Sequence, residues 1–296
     1  MVKNIFILFL FLSLTHLFSA GFDGLKLFFG VKATGLGENL SALSGEIESI
    51  YHNPAGLVGL SPFEFKIMYL NWVAGINRGD LIFAKSFKDK STIGLSFNYM
   101  WTALESENGS FSYLFFINDI AYAKKFNKIY FGLSTKLVYE STSLDEGYNL
   151  AGGLNLGLMF RKQRLTFGAS IKNIGLSFVS MGETLEVLPT NLNFGISYIM
   201  ANNMMLLSSF RYQLDGFASI HTGIEFPIYR GIKEDISIRV GNIIKISYYE
   251  NDLPLISNFR FGFGFRKEGL RFDYSLIPLG EDVGFFHYLA LGFMFY

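Results

Sequence analysis

The chain has 296 residues, a formal net charge of zero and no cysteine. Balanced charge gives no electrostatic case for nucleic acid as a partner, and a cysteine-free chain excludes disulfides and thiolate metal sites. Aromatic and charged residues each make up 17%, against about 25% charged in ordinary soluble domains.

Residues 1–20 read as a secretory signal. Lys3 supplies the positive end, Ile5 to Leu17 is almost wholly apolar, and Ser19-Ala20-Gly21 offers small residues for cleavage. That run is shorter than the roughly 20 residues a spanning helix needs, and no Cys stands at the cleavage point for a lipid anchor. No later stretch is long and apolar enough to span as a helix, yet mean hydropathy is +0.30. Apolar residues dispersed on every second position would reconcile the two, as in a transmembrane β-barrel.

Residues 21–62 follow a different rhythm. Leu36, Leu40, Leu43, Ile47 and Ile50 recur at a helical spacing, with Gly45 interrupting it, so short or broken helices are expected. Asn53-Pro54 then reads as a fresh helical start, with Asn as cap, Pro in the first position and Gly56 or Gly59 ending a single turn.

From Phe63 to Tyr296 a strand period takes over. Ile93, Leu95, Phe97, Tyr99 and Trp101 oppose Thr92, Gly94, Ser96 and Asn98, and Phe259, Phe261, Phe263 and Phe265 oppose Arg260, Gly262, Gly264 and Arg266. Strands are expected at 63–72, 79–88, 91–101, 111–125, 128–140, 148–162, 164–173, 190–200, 203–213, 218–228, 234–242, 256–267, 269–277 and 286–296, about fourteen in all. A soluble sandwich alternates too. Here, however, one face is large and aromatic while the other holds Gly, Ser, Asn and isolated charges, and the strands run longer than globular ones. Lipid outside and a polar, partly filled interior explain both. Links at 102–110, 175–189, 243–255 and 279–284 are longer than the turns at 88–90, 162–163, 201–202 and 267–269, and in such barrels short turns normally face the periplasm. The closing strand ends on an aromatic residue, the form in which the barrel-assembly machinery reads its clients.

Three patches carry a family resemblance. Asn53-Pro54-Ala55-Gly56-Leu57 matches, letter for letter, the box in the N-terminal segment of the PorV/PorQ family, a branch of the FadL-like outer-membrane barrels. The second patch is Lys172-Asn173-Ile174-Gly175 with Leu188-Pro189 and Phe194-Gly195-Ile196-Ser197-Tyr198. The third is Phe272-Asp273-Tyr274, Pro278-Leu279-Gly280 and Gly284 followed by His287. The chain departs from the family's Asp-rich piece with Ser44, Gly45, Glu46 and Glu48. The resemblance implies an all-β, transmembrane antiparallel barrel in the outer membrane, with 21–62 as a helical plug in the lumen of a barrel spanning 63–296. It makes Asn53 to Leu57 the plug and gate motif.

Chemistry is sparse. Beyond the signal the histidines are His52, His221 and His287, in no triad arrangement. His, Asp and Glu show no metal-ligand spacing. Gly262-Phe263-Gly264 falls inside a strand and is no phosphate loop. No enzyme, cofactor or metal is therefore expected. A charge facing lipid costs about 2–4 kcal/mol at midplane, so Lys136, Arg161, Lys172, Arg211, His221, Glu225, Arg239, Arg260, Arg266, Arg271 and Asp273 are expected to face the lumen, with His221 beside Glu225. The expected partners are outer-membrane lipid and the assembly machinery. The resemblance adds either a hydrophobic small molecule, such as a fatty acid, diffusing through a plugged lumen, or secreted proteins of a type IX system bound by a non-transporting accessory barrel.

Overall fold

A strand that meets hydrocarbon on one side must hide its backbone polar groups in its neighbours, and only closure removes the last free edge. The computed structural model meets that demand. It describes residues 22–27, 29–106, 109–143, 147–182, 184–231, 233–246, 254–280 and 283–295; the expected signal at 1–20 lies outside them. Fourteen antiparallel strands follow in order: Phe63–Asn71 (β1), Asn77–Ser86 (β2), Ser91–Ser106 (β3), Gly109–Phe126 (β4), Ile129–Thr142 (β5), Asn149–Lys162 (β6), Leu165–Val179 (β7), Asn191–Ile199 (β8), Met205–Gln213 (β9), Ala218–Arg230 (β10), Glu234–Ile246 (β11), Phe259–Lys267 (β12), Leu270–Gly280 (β13) and Gly284–Phe295 (β14). Each pairs with its sequence neighbours, and β1 closes on β14 from Phe63↔Phe295 to Leu70↔Tyr288.

The outward positions are those the alternation selects. Ile67, Tyr69, Ile93, Tyr99, Ile120, Leu158, Phe160, Phe167 and Phe194 are all exposed, an apolar band suited to lipid. Several strands outrun their expected ends, the β3–β4 hairpin and β7 among them. The stretch 102–110 continues the β3–β4 hairpin as far as Ser106↔Gly109. β7 runs to Val179 and is met there by its own connection, through Ser177 N–H to Glu186 O and Leu188 N–H to Gly175 O.

Closure sorts the connections. The β2–β3, β4–β5, β6–β7, β8–β9, β10–β11 and β12–β13 turns leave the sheet at the end that holds Phe63 and Phe295, while the longest connections, from β7 to β8 and from β11 to β12, leave it at the other. Asn127, Gln163 and Glu268 open two-residue turns with positive φ, the geometry that suits the twist of a hairpin.

Residues 29–60 are nearly all buried, and opposite walls reach them. Ser170 of β7 donates to His52 O (2.9 Å), Ser197 of β8 to Ala42 O (2.8 Å) and Ser275 of β13 to Val31 O (2.6 Å). A Cβ on Gly132 of β5 would lie 2.1 Å from Ala55 N, and one on Gly241 of β11 would lie 2.0 Å from Gly37 N. A segment touched from all these strands occupies the lumen.

It is less helical than its spacing predicts. One short helix, Val31–Gly35 (α1), and 3-10 turns at Ile47–Tyr51 and Pro54–Leu57 are its helical parts. Between α1 and Ile47 the apolar stripe forms no helix, because Gly37, Glu38 and Gly45 take positive φ and break the run. The interior is also less polar than expected. Met68, Leu70, Ile82, Met100, Phe115 and Ile117 point inward and pack with Phe29, Ile47, Ile50 and Leu57, giving the segment's apolar side chains somewhere to go.

Candidate functional site

Asn53 begins the neutral half of the site. Its Oδ1 accepts from Ala55 N–H (3.1 Å), capping the turn that Pro54 starts. Its Nδ2 donates to Ser41 O (2.7 Å) and reaches the wall at Leu158 O and Ala169 O (both 3.3 Å). One amide thus joins two parts of the interior segment to β6 and β7. Ala55 lies on Gly132, and Leu57 meets Gly94. Gly56 sits so close to Leu43 O and Ser49 Oγ that a Cβ would lie 2.5 Å from each. The cap and the first-position Pro are used as the sequence implies, but Gly56 lies inside the turn, which ends at Val58, and serves close packing instead.

The other half is ionic. Lys66 of β1 meets Glu48 Oε1 at 2.8 Å and Asp273 Oδ2 at 3.0 Å. Arg271 meets Glu46 (2.7 Å) and Asp273 (2.8 Å), and Arg239 meets Glu225 and Asp273 (both 2.7 Å). Lys32 of α1 adds Glu46 (3.3 Å) and Glu225 (3.2 Å). Glu48 also accepts from the N–H groups of Lys32 and Ala33 (3.2 and 2.9 Å), at the start of the helix. Burial works against the Glu46 carboxylate, but Arg271, Lys66 and Lys32 outweigh it and hold its pKa low.

Arg211 supplies a third anchor, reaching Glu38 Oε2 (2.9 Å), Glu38 O (3.3 Å) and Asn193 Oδ1 (3.0 Å). Burial opposes ionisation of Glu38; Arg211 overcomes it and brings the pKa down to about 2. His52 Nε2 lies 2.7 Å from Phe29 O. Burial, reinforced by Lys172 and Arg211, pushes its pKa down to about 3, so the ring is neutral and donates to that carbonyl.

Beside these anchors, toward the long-connection end, lies a cavity of about 550 Å³ between segment and wall. Leu25, Phe29, Trp72, Phe217, Ile243 and Leu279 give it apolar surface, and Lys172, Arg211, His221 and Arg260 give it polar surface. Lys172 donates to Tyr51 O (3.0 Å), and no carboxylate pairs with it among the described residues. A smaller recess of about 260 Å³ at the short-turn end is lined largely by charged groups of the ionic half, Lys32, Glu46, Arg239 and Asp273 among them.

Nine of the eleven lumen candidates do lie inside. Lys136 bonds Asn173 Oδ1 (2.9 Å) and stands 3.8 Å from Asp119, and Arg260 donates to Ser257 O (2.6 Å) and Phe259 O (2.7 Å). Arg161 and Arg266 are the exceptions. Both have inward parity but sit at the rim, Arg161 bonded to Gln163 O (3.4 Å) and Arg266 paired with Asp235. Parity gives direction and says nothing of height. His221 and Glu225 are also apart in function: His221 Nδ1 meets Gly37 O (2.6 Å) and Nε2 meets Ser219 Oγ (2.8 Å), while Glu225 pairs with Arg239 and Lys32. The sequence reading missed Lys66 and the buried pair Arg78–Asp80 (2.7 Å), although both lie on polar positions of alternating strands and could have been found by extending the parity. It also missed Lys32, Glu38 and Glu48, which belong to a stretch with no strand period to orient them.

No family model and no curated protein matches the chain. Solved structures do. The P. putida toluene transporter TodX superposes with a TM-score of 0.63 at 10% identity, over 90% of this chain and 99% of that one. The fold is that of FadL-type channels. The Ralstonia pickettii toluene transporter TbuX (TM-score 0.61, 12% identity, 90% and 98% coverage) and a Pseudomonas aeruginosa FadL homologue (0.62, 9%, 90% and 98%) agree. At these identities the likeness is one of fold, an architecture of outer-membrane barrels.

Proposed function

We propose that the chain is an outer-membrane channel for small hydrophobic molecules, with residues 21–62 as its plug and the long-connection end facing outward. The observation that carries this reading is the cavity beside the plug. Its volume of about 550 Å³ falls in the range of small-molecule sites, about 300–1,000 Å³. Its surface combines aromatic and aliphatic side chains with the cations Lys172, Arg211 and Arg260, neutral polar groups and the Arg211-paired carboxylate of Glu38. An acyl or aryl body would lie against Phe29, Trp72 and Phe217, and an acidic head would reach Lys172 or Arg211. A fatty acid has that division of chemistry. Structures of the same fold are toluene transporters, which accords with a hydrophobic cargo. Passage inward requires the Asn53–Leu57 stretch to leave its seat on β5–β7, so that stretch is the gate.

Uptake into vesicles tests this. Purified protein in liposomes should speed the entry of a fluorescent fatty acid or of toluene, and K172M should slow the acid more than the neutral hydrocarbon. Entry no faster than in protein-free liposomes would end the proposal. A second reading, an accessory barrel of type IX secretion, draws on the Asn53–Leu57 box and on the firmness of the plug, held by buried ion pairs on one side and by Asn53 on the other. Under it, secreted proteins would co-purify with the barrel in mild detergent while flux stays at background.

A further inference from the structure

The short-turn rim is electrically lopsided. Segments 85–90, 124–128 and 161–164 carry three basic residues each, and Asp89 is the one acid among them. Those segments are neighbours in space: Lys125 N–H donates to Lys90 O (3.2 Å) and Arg161 N–H to Lys128 O (2.9 Å). Lys124 pairs with Asp89 (2.9 Å), and the other eight cations meet no carboxylate among the described residues. Across the barrel the rim neutralises itself, through Lys233–Glu268 (3.0 Å), Lys267–Glu234 (2.9 Å) and Arg266–Asp235. The turn between β8 and β9 has Ala201, Asn202 and Asn203 and no charge.

The direction of three of these cations decides what they meet. Lys85 stands opposite Phe63 and Ile93, Lys124 opposite Phe131, and Lys162 opposite Leu165, all exposed or half-exposed outward positions. The Lys85 and Lys124 ammonium groups lie 5.6 and 5.9 Å from the rings of Phe87 and Phe126. Each therefore stands near the end of an apolar outward column, where a long stem can follow hydrocarbon while its charge reaches the headgroups. A water-soluble partner would have to displace lipid to touch them.

We infer that the crescent of rim formed by the β2–β3, β4–β5 and β6–β7 turns is a binding surface for anionic phospholipid headgroups. Lys85, Lys124 and Lys162 contact the phosphates from the side, and Lys90, Lys128 and Arg164 draw the same leaflet from the turns. The β10–β13 half of the rim has no such preference. Anionic lipid would thus collect along one flank of the barrel.

Native mass spectrometry of the full chain in detergent, titrated with phosphatidylglycerol and with phosphatidylcholine, tests the surface. The parent should retain phosphatidylglycerol preferentially. An interfacial cation contributes about fivefold to such attraction, so K85Q/K124Q/K162Q should reduce the preference by about a hundredfold, and no less than about tenfold. The control K233Q/R266Q/K267Q, on the opposite flank, should keep it. Retention in the first triple variant equal to the parent, or an equal loss in the control, would overturn the inference. Binding of poly-glutamate lost in the first triple variant with phosphatidylglycerol retention intact would also overturn it, assigning the crescent to an acidic soluble partner.

Discussion

On the β5–β7 side, the plug is held by Asn53 and by backbone lying on Gly132; on the β1 and β13 side, Glu46 and Glu48 are held by Lys66 and Arg271. The first seat is neutral and short-ranged, so moving away costs contacts and a few hydrogen bonds. The second joins buried charges of both signs, and moving one strands the others. Such charges contribute little net stability when complete but cost heavily when broken. The neutral seat is thus the side that can open, and the ionic seat is the side that must stay. Under the proposed reading of Asn53–Leu57 as a gate, that difference would put its hinge on the Glu46–Lys66 side.

The largest effect should come from breaking the ionic seat. K66M leaves Glu48 and Asp273 buried without their shared cation, and a loss of about 3–5 kcal/mol is expected, read as the urea midpoint of the detergent-solubilised barrel. N53A should cost less, about 2–3 kcal/mol, because it removes neutral bonds and leaves the Ser41 carbonyl without its donor. It should also expose the plug to limited proteolysis more than K66M does relative to its stability loss. Equal cost from the two variants would erase the distinction between a fixed seat and a movable one.

Acid sharpens the comparison, because His52 belongs to the neutral seat and Glu38 to a charged anchor. His52 takes a proton in the unfolded chain near its ordinary 6.5 but resists it in the fold down to about 3. Its contribution is therefore intact above pH 6.5 and is lost as pH falls toward 3. At pH 5 that loss is on the order of 2 kcal/mol. Glu38, held at about 2 against an ordinary 4.5, contributes above pH 4.5 and loses its contribution as pH falls toward 2. Between pH 6.5 and 4.5 His52 loses its share while Glu38 still keeps its own. H52Q should make the stability profile shallower than the parent's in that upper window and leave the lower loss in place; a slope from pH 6.5 to 5 equal to the parent's would remove His52 from the account.

The barrel was legible because hydrocarbon imposes one rule on every second residue, from Phe63 to Phe295. That rule placed Lys136, Lys172, Arg211, Arg239, Arg271 and Asp273 inside without any knowledge of their partners. It failed at Arg161 and Arg266, since alternation carries no information on height along the barrel axis. It could not reach Glu38, Glu46 or Glu48 at all. Those side chains are oriented by the wall they meet, and a segment threaded through a lumen has no period of its own to show which residue meets which strand. The apolar stripe from Leu36 to Ile50 misled for the same reason: burial on all sides satisfied those residues without a helix.

The smallest effect concerns an ion pair that looks equal on distance alone. Lys233–Glu268 spans 3.0 Å and Lys66–Glu48 spans 2.8 Å, yet the side chains of the first are 70% and 59% exposed and those of the second 2% and 0%. Water solvates both members of the rim pair before and after they separate, and salt screens what attraction remains. K233Q should therefore leave the melting temperature within about 1 °C of the parent, at low salt and high salt alike. A drop approaching that of K66M would mean that the length of an ion pair, rather than its removal from water, sets what it contributes in this barrel, and the division into a fixed and a movable seat would lose its physical basis.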